Sequence, residues 1–507
     1  MLFIEKTTNN LNPLKKLVGQ TAVYGLSSIL GRILGYLLVP LYTTVLAQAA
    51  YGSVVELYSY IALSLIILTY GMETAFFRFA ESTKKPKVVF STGFISIVIS
   101  SVVFLIFIFA FRNSIADVLR YTQKPEYITY IALILFFDSI NTIPFANLRL
   151  ENRASRFVAI RLTGIFVNIG LNLFFILLIP WLILNYGDTA FMQWMSSWYR
   201  MDSKVDYIFI SNVISSGLMT LLFIPQWIKI NFVFDKLLWK KMIIYALPLL
   251  VFGMAGAINE VIDRVLLKYL LPENIAMAQV GIYGAVYKIS ILMTIFIQAY
   301  RYAAEPFFFA HEKHKEAKEM YANMMKYFVM ITTVIFLGTM LYMDIIIHFI
   351  GKNFRSGAPV IPILLLANLF LGIYYNLSVW YKLTNRTRYG AYISIFGALV
   401  TLSLNFYWIP RIGYTGSAWA TFICYGSMMV ISYFIGRKFY PIPYNIGRIL
   451  FYLGLSVGFY FISINLGIEP VNIRLSVNTI IFMLFISILF FMERKNLFPN
   501  GIKNLRE

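Results

Sequence analysis

The sequence predicts an all-α polytopic membrane protein: about fourteen transmembrane helices, in two six-helix lobes with two further helices after them. Three observations carry this prediction. Hydrophobic residues make up 59% of the 507 and charged residues only 13%, whereas soluble domains carry about 25% charged residues. Mean hydropathy is +0.73, and the apolar residues fall in runs long enough to cross a bilayer as helix, about 20 residues each. The pattern of the first half recurs in the second. Alternating ten-residue strand patterns, the mark of a membrane β-barrel, do not occur.

The runs cover about 17–46, 51–81, 88–112, 126–149, 157–184 and 205–228. They continue over about 240–271, 277–310, 320–350, 357–383, 388–410, 413–437, 444–465 and 472–492. Several exceed a bilayer's thickness, so tilt or kinking is expected, with Pro40, Pro144, Pro248 and Pro306 as kink sites. With the N-terminus inside, thirty of the 43 Lys and Arg lie in inside segments and ten in outside ones. Arg32, Arg264 and Lys288 remain inside spans. This bias over short loops puts both termini in the cytoplasm. The net charge of +20 is spread over those loops rather than gathered on a soluble face, so nucleic acid is not an expected partner.

No loop is long enough for a folded domain. MQWMSSWYRMD, 192–202, and FVFDKLLWKK, 232–241, read as interfacial helices, the second linking the halves. HEKHKEAKEM, 311–320, reads as a solvated helix extension. Lys15 and Lys16 precede a long helix with no small-residue cleavage site, so no cleaved signal is expected.

GRILGYLL at 31–38 pairs with DRVLLKYLL at 263–271, and AYGSVVELYSYI from Ala50 pairs with QVGIYGAVYKIS from Gln279. Gly52 thereby matches Gly281, and Tyr58 matches Tyr287. A shift of six spans keeps both halves in one orientation, with a pseudo-two-fold along the membrane normal. The expected domains are 1–230 (helices 1–6), 231–440 (helices 7–12) and 441–507 (helices 13–14 and the tail).

The candidate functional residues are the charges inside these runs. A charge at bilayer depth costs about 2.5–3.5 kcal/mol on insertion scales. Arg32 shares a helical face with Gly25, Ser28, Gly35 and Tyr36. Either it snorkels or pairs structurally, or it lines a cavity and meets a phosphate, to which guanidinium geometry is suited. Span seven crowds Asn259, Glu260, Asp263 and Arg264 together, and Glu260 can pair with Arg264 at i,i+4. Span eight carries Lys288, then Gln298, Arg301 and Glu305 on one face. Arg32, Arg264, Lys288 and Arg301 are therefore the candidate substrate-binding residues. The buried carboxylates Glu56, Asp138, Glu260 and Asp263 are candidates for coupling to H⁺ or Na⁺, and no other cofactor is expected. The 35 tyrosines divide between interfacial belts and sugar-binding faces.

Three histidines and the single Cys424 supply neither a zinc site nor a Cys/His nucleophile. Cys424 reads as a small packing residue. No phosphate-binding Gly-rich loop occurs, so ATP is not an expected energy source. A glycan polymerase or ligase would need a sizeable outside loop with acid/base or arginine residues, which is lacking, and the chain is not expected to be an enzyme.

GRILGYLLVPLYTTVL followed by AYGSVVELYS resembles the start of the polysaccharide transporters of the multidrug/oligosaccharidyl-lipid/polysaccharide (MOP) exporter superfamily. INEVIDRVLLKYLL, VGIYGAVYKIS and AAEPFFFA resemble the start of that family's second half, and IGYTGSAWATFICYG at 412–426 resembles its twelfth-helix segment. The resemblance implies a flippase that moves an undecaprenyl-diphosphate-linked oligosaccharide, such as an O-antigen or capsule unit, to the outer leaflet by alternating access. An ion gradient or membrane potential would drive it. The lipid II flippase is a more distant relative. The family's first-helix arginine maps onto Arg32, and Arg78 and Arg301 lie on the helices where lipid II flippases carry further cavity arginines. Drug-exporting relatives usually have twelve spans and a first-helix carboxylate, against fourteen and an arginine here. The resemblance also implies a bacterial inner-membrane location and, as partners, the polyprenyl-diphosphate-linked glycan and membrane lipids. A monomer is expected.

Overall fold

The computed structural model describes residues 29–186, 189–228, 232–312 and 314–497. The start of the first span, with Lys15, Lys16, Gly25 and Ser28, lies outside them, as do Lys229, Lys313 and the C-terminal tail. We label fourteen helical segments. They are α1 Ile29–Val45, α2 Gln48–Ser82, α3 Pro86–Ala110, α4 Glu126–Leu150, α5 Ala154–Tyr186, α6 Lys204–Trp227 and α7 Lys236–Leu270. Then follow α8, a pair Glu273–Ile289 and Ile291–Phe309, α9 Ala317–Leu341, α10 Lys352–Leu383, α11 Thr387–Ile412, α12 Tyr414–Phe439, α13 Ile446–Asn465 and α14 Val471–Arg494. Twelve of these are long and apolar enough to cross a membrane, thirteen with α8 counted as one span. The expected fourteenth is α1, a shorter apolar helix whose preceding residues are not among those described.

Large apolar side chains point outward: Val103, Ile106 and Phe107 on α3, Leu399 and Phe406 on α11, Ile480, Met483 and Phe491 on α14. In water such bands would aggregate. In a bilayer they face lipid, while each helix satisfies its own backbone polar groups. The chain is a multi-pass membrane protein.

The breaks in the helices have local causes. Pro40 cannot donate to the carbonyl four residues back, and α1 has a turn at Leu37 just before it. In α8 the bend of 50° falls at Ser290, not at Pro306, which sits inside a continuing helix. The Ser290 hydroxyl donates to the Tyr287 carbonyl at 2.7 Å and receives Asn368 Nδ2 at 3.3 Å. Such back-bonding competes with the helical ladder. In α2 the interruption has no proline: Tyr70 and Gly71 take φ of 35° and 71°. A stretch of π-helix, Phe174–Leu178, interrupts α5. From Lys236 onward FVFDKLLWKK is the start of α7 rather than a separate interfacial helix. Asp235 Oδ1 accepts from the amides of Leu237 at 2.9 Å and Leu238 at 3.0 Å and so caps that helix. The other predicted interfacial segment does form a short helix, Ala190–Trp198. Of the predicted extension, residues 311, 312 and 314–316 form turns and bends, and the helix begins at Ala317.

The chain divides into two compact units. Unit 1 holds the described residues of Met1–Leu38, Ser53–Val265 and Tyr302–Pro306; unit 2 holds Val39–Gly52, Leu266–Arg301 and the remainder from Phe307. In unit 1, α4 packs between α3 and α6, and α6 also lies along α5. Met72, Phe76, Phe90, Phe94, Ile143 and Met242 form one core there. In unit 2, α12 packs on α10 and α11, and α9 on α13 and α14. Cys424 is fully buried in the α10–α12 core.

The repeat visible in the sequence becomes a contact inside unit 2. A Cβ on Gly52 would collide with the Met277 carbonyl oxygen, and one on Gly281 with the Gln48 carbonyl oxygen. Gln48 Nε2 donates to the Asn353 carbonyl, and Gly351 N donates to Thr43 Oγ1 at 3.0 Å. The α13–α14 hairpin is held at one end by the short turn of helix after α9 and at the other by α9 itself. Arg474 forks onto Asp344 with Nε–Oδ2 2.7 Å and Nη2–Oδ1 2.8 Å. At the other end, Glu493 accepts from Lys326 Nζ at 2.6 Å, Tyr452 Oη at 2.6 Å and Arg448 Nη1 at 2.8 Å.

Candidate functional site

Unit 1 contains a cavity of about 590 Å³ lined by α1, α2, α4, α5 and α6. Each helix offers one face to it. From α5 come Arg161, Gly164, Ile165, Asn168 and Ile169; from α6 come Asn212, Ser215, Ser216 and Met219; from α4 come Asp138, Asn141, Thr142, Phe145 and Arg149. These spacings of three and four residues are those of a single helical stripe. From α1 come Gly31, Arg32 and Gly35, and from α2 come Leu65 and Glu73.

Small residues make the walls close. A Cβ on Gly164 would meet the Met219 side chain of α6, while a Cβ on Gly35 would have nothing within 4 Å. Ser215 Oγ donates to the Gly164 carbonyl at 2.6 Å, tying α6 to α5. Asn212 Nδ2 donates to Tyr58 Oη at 3.0 Å, and Asn141 Nδ2 to the Ser216 carbonyl at 3.4 Å.

The lining holds three guanidiniums and two carboxylates, an excess of one positive charge. Arg149 is ion-paired with Glu73, and its Cζ lies 5.0 Å over the Phe77 ring. Asp138 is hydrogen-bonded by the Ser216 side chain and lies in the field of Arg161. Arg161 itself has its Cζ 5.8 Å over the Phe145 ring. Among the described residues neither Arg32 nor Arg161 has an ion pair. Inside a membrane protein a guanidinium without an ion pair calls for water, aromatic or backbone contacts, or an anionic ligand.

The structure separates the predicted residues into groups. Arg32 and Asp138 line the cavity. Arg264 is buried on α7 with Asn259 and Asp263. Its Nη1 lies 3.1 Å from Asp263 Oδ1 and also reaches the Glu260 carbonyl oxygen. The carboxylate facing it is thus that of its neighbour, and Glu260 contributes its backbone. Arg32, Arg264 and Glu260 all lie within electrostatic reach of Tyr36. Glu56 is buried in unit 1 away from the cavity and accepts from Tyr121 Oη at 2.5 Å. Burial, then the Glu56 charge, pushes the Tyr121 phenol well above its ordinary value. Lys288 and Arg301 belong to unit 2. Lys288 is half-buried in the last turn before the Ser290 bend, and Arg301 Cζ stacks 4.0 Å over the Tyr375 ring.

Arg149 and Arg161 are not among the predicted site residues. By charge pattern alone, the two arginines read as loop charges at a cytoplasmic boundary. The signal that could have found Arg161 is its stripe with Gly164, Asn168 and the serines of α6. Among the described residues no three His, Cys, Asp or Glu side chains group as metal ligands.

A family profile described as polysaccharide biosynthesis protein matches residues 43–206. No curated protein matches the chain. Among solved structures, a lipid II flippase, MurJ, in an inward closed conformation superposes with a TM-score of 0.69 at 16% identity, over 92% of this chain and 98% of that one. An inward-facing multidrug resistance MATE transporter of the MOP superfamily gives 0.58 at 15% identity, over 85% and 95%. A MOP superfamily transporter from Pyrococcus furiosus, described as having a binding pocket of reversed polarity, gives 0.54 at 15% identity, over 86% and 98%. The chain has the fold of the MOP superfamily transporters.

Proposed function

We propose that this MOP-fold chain is a flippase that moves a polyprenyl-diphosphate-linked oligosaccharide from the cytoplasmic to the outer leaflet of a bacterial inner membrane, by alternating access. The observation that carries the reading is Arg32, a guanidinium without an ion pair among the described residues, on the wall of a cavity with excess positive charge. The profile over residues 43–206 supports a glycan cargo. A diphosphate matches that charge, and guanidinium is the side chain best suited to it. The polyprenyl tail stays in lipid, so only the head group is desolvated. Arg264, in the same unit, is a further contact for the anionic head group in this reading. Coupling uses H⁺ or Na⁺ at one of Glu56, Asp138, Glu260 or Asp263, or the membrane potential. Both termini are cytoplasmic and the working unit is a monomer.

Flipping in vesicles of defined lipid composition tests this. A fluorescent undecaprenyl-diphosphate oligosaccharide becomes accessible to an outside lectin only when flipped. The Arg32→Ala/Arg264→Ala protein should fold and lose transport, and full transport by that variant would sink the proposal. A second reading, that the cargo is lipid II, is favoured by the superposition on the lipid II flippase. Offering both lipids in the same vesicles separates the two. Cation export is disfavoured by the same excess of positive charge and is tested by dye efflux.

A further inference from the structure

The cavity of unit 1 has more hydrogen-bonding character than a diphosphate needs. A phosphate oxygen at neutral pH only accepts hydrogen bonds, and a site built for it alone would consist of donors. This lining mixes donors and acceptors. Beside Arg32, Arg149 and Arg161 stand the carboxylates Glu73 and Asp138. Asn141 is 2% exposed and its Oδ1 has no hydrogen-bond partner. A buried acceptor left unmade costs about 1–3 kcal/mol, which a ligand hydroxyl would recover. Glu73 is taken up by Arg149, which leaves Arg32 and Arg161 as partners for anionic groups beside the acceptors Asp138 and Asn141. A ligand that satisfies the whole lining carries negative charge and several hydroxyls.

We propose that this cavity binds an acidic sugar, a uronic acid or similar hydroxylated carboxylate within the cargo glycan. Arg161 takes the carboxylate, while Asn141 Oδ1 and Asp138 accept from the sugar hydroxyls. The volume of about 590 Å³ is in the range of small-ligand pockets, roughly 300–1,000 Å³. The inference rests on the transporter reading above, and it adds the chemistry of the sugar to that of the carrier.

The test measures binding to the purified full-length protein by calorimetry, with sodium glucuronate, glucose and inorganic pyrophosphate as probes. Glucuronate should bind at least roughly tenfold more tightly than glucose, as a hydrogen bond to a charged group implies. Arg161→Gln should erase that preference, and Arg161→Lys should keep part of it. If the glutamine variant does not fold, Asn141→Leu is measured instead and should weaken both sugars together. Three results overturn the proposal: no preference for glucuronate, a preference that survives in Arg161→Gln, or pyrophosphate binding more tightly than glucuronate through Arg161. The flipping assay fails independently. Glucuronate binding without flipping refutes only the flippase reading, and flipping without glucuronate preference refutes only this inference.

Discussion

Removing the Glu493 carboxylate should destabilise the C-terminal hairpin far more than removing its partner as well. Glu493 is fully buried and accepts from Lys326, Tyr452 and Arg448. The Lys326 side chain is 5% exposed, whereas that of Arg448 is 38% exposed. In Glu493→Ala, Arg448 can turn to water but Lys326 is left charged in an apolar surround, a cost of about 3–5 kcal/mol. Lys326→Met leaves Glu493 with Tyr452 and Arg448 among its partners and loses about 1–3 kcal/mol. The double variant Lys326→Met/Glu493→Leu removes both desolvated charges and should return to within roughly 1–2 kcal/mol of the parent. The single cysteine provides the assay. Cys424 is buried in the same unit, so a fluorogenic maleimide reports its exposure on unfolding in detergent. At fixed temperature Glu493→Ala should label roughly a hundredfold faster than the parent, since about 1.4 kcal/mol is a factor of ten. Labelling at the parental rate, or a double variant as unstable as the sum of the singles, would refute the reasoning.

Other substitutions test the packing. Gly52→Ala and Gly281→Ala place a methyl on a facing carbonyl and should lower stability by at least about 1–3 kcal/mol, while Gly35→Ala, which meets nothing within 4 Å, should melt like the parent. Gly71→Ala must hold φ at 71° with its Cβ 2.9 Å from the Ala246 carbonyl oxygen, a loss of about 1–2 kcal/mol by thermal melting. Arg474→Lys keeps the charge but not the fork onto Asp344, and should lose on the order of 1 kcal/mol, measured by the same melts.

The spans are legible because lipid demands long apolar runs, and a soluble fold rarely places about 20 such residues in a row. Arg32 is legible for the converse reason, since a charge inside such a run stands out. Arg149 and Arg161 are not, because near a cytoplasmic boundary an arginine is ordinary and hydropathy cannot distinguish a loop from a cavity wall. The sequence points to Pro306 for a bend that α8 makes at Ser290. A proline is visible as a helix breaker, whereas at Ser290 the break coincides with a hydroxyl back-bonded to Tyr287 and met by Asn368 of α10, a tertiary contact. Glu260 and Arg264 show the limit of spacing rules. The i,i+4 relation brings the two residues together, but Asp263 supplies the facing carboxylate. The Gly52–Gly281 match is visible as a repeat, but that the two touch depends on tertiary structure.

That contact constrains both copies of the repeat alike. Gly52 meets the carbonyl of residue 277 and Gly281 that of residue 48, so each copy of the repeat offers its partner what it receives. This is the arrangement of an isologous interface, in which one surface suffices for both sides. The two helices can differ in sequence elsewhere but not in size at these two positions, because each glycine is fixed by a carbonyl of the facing helix.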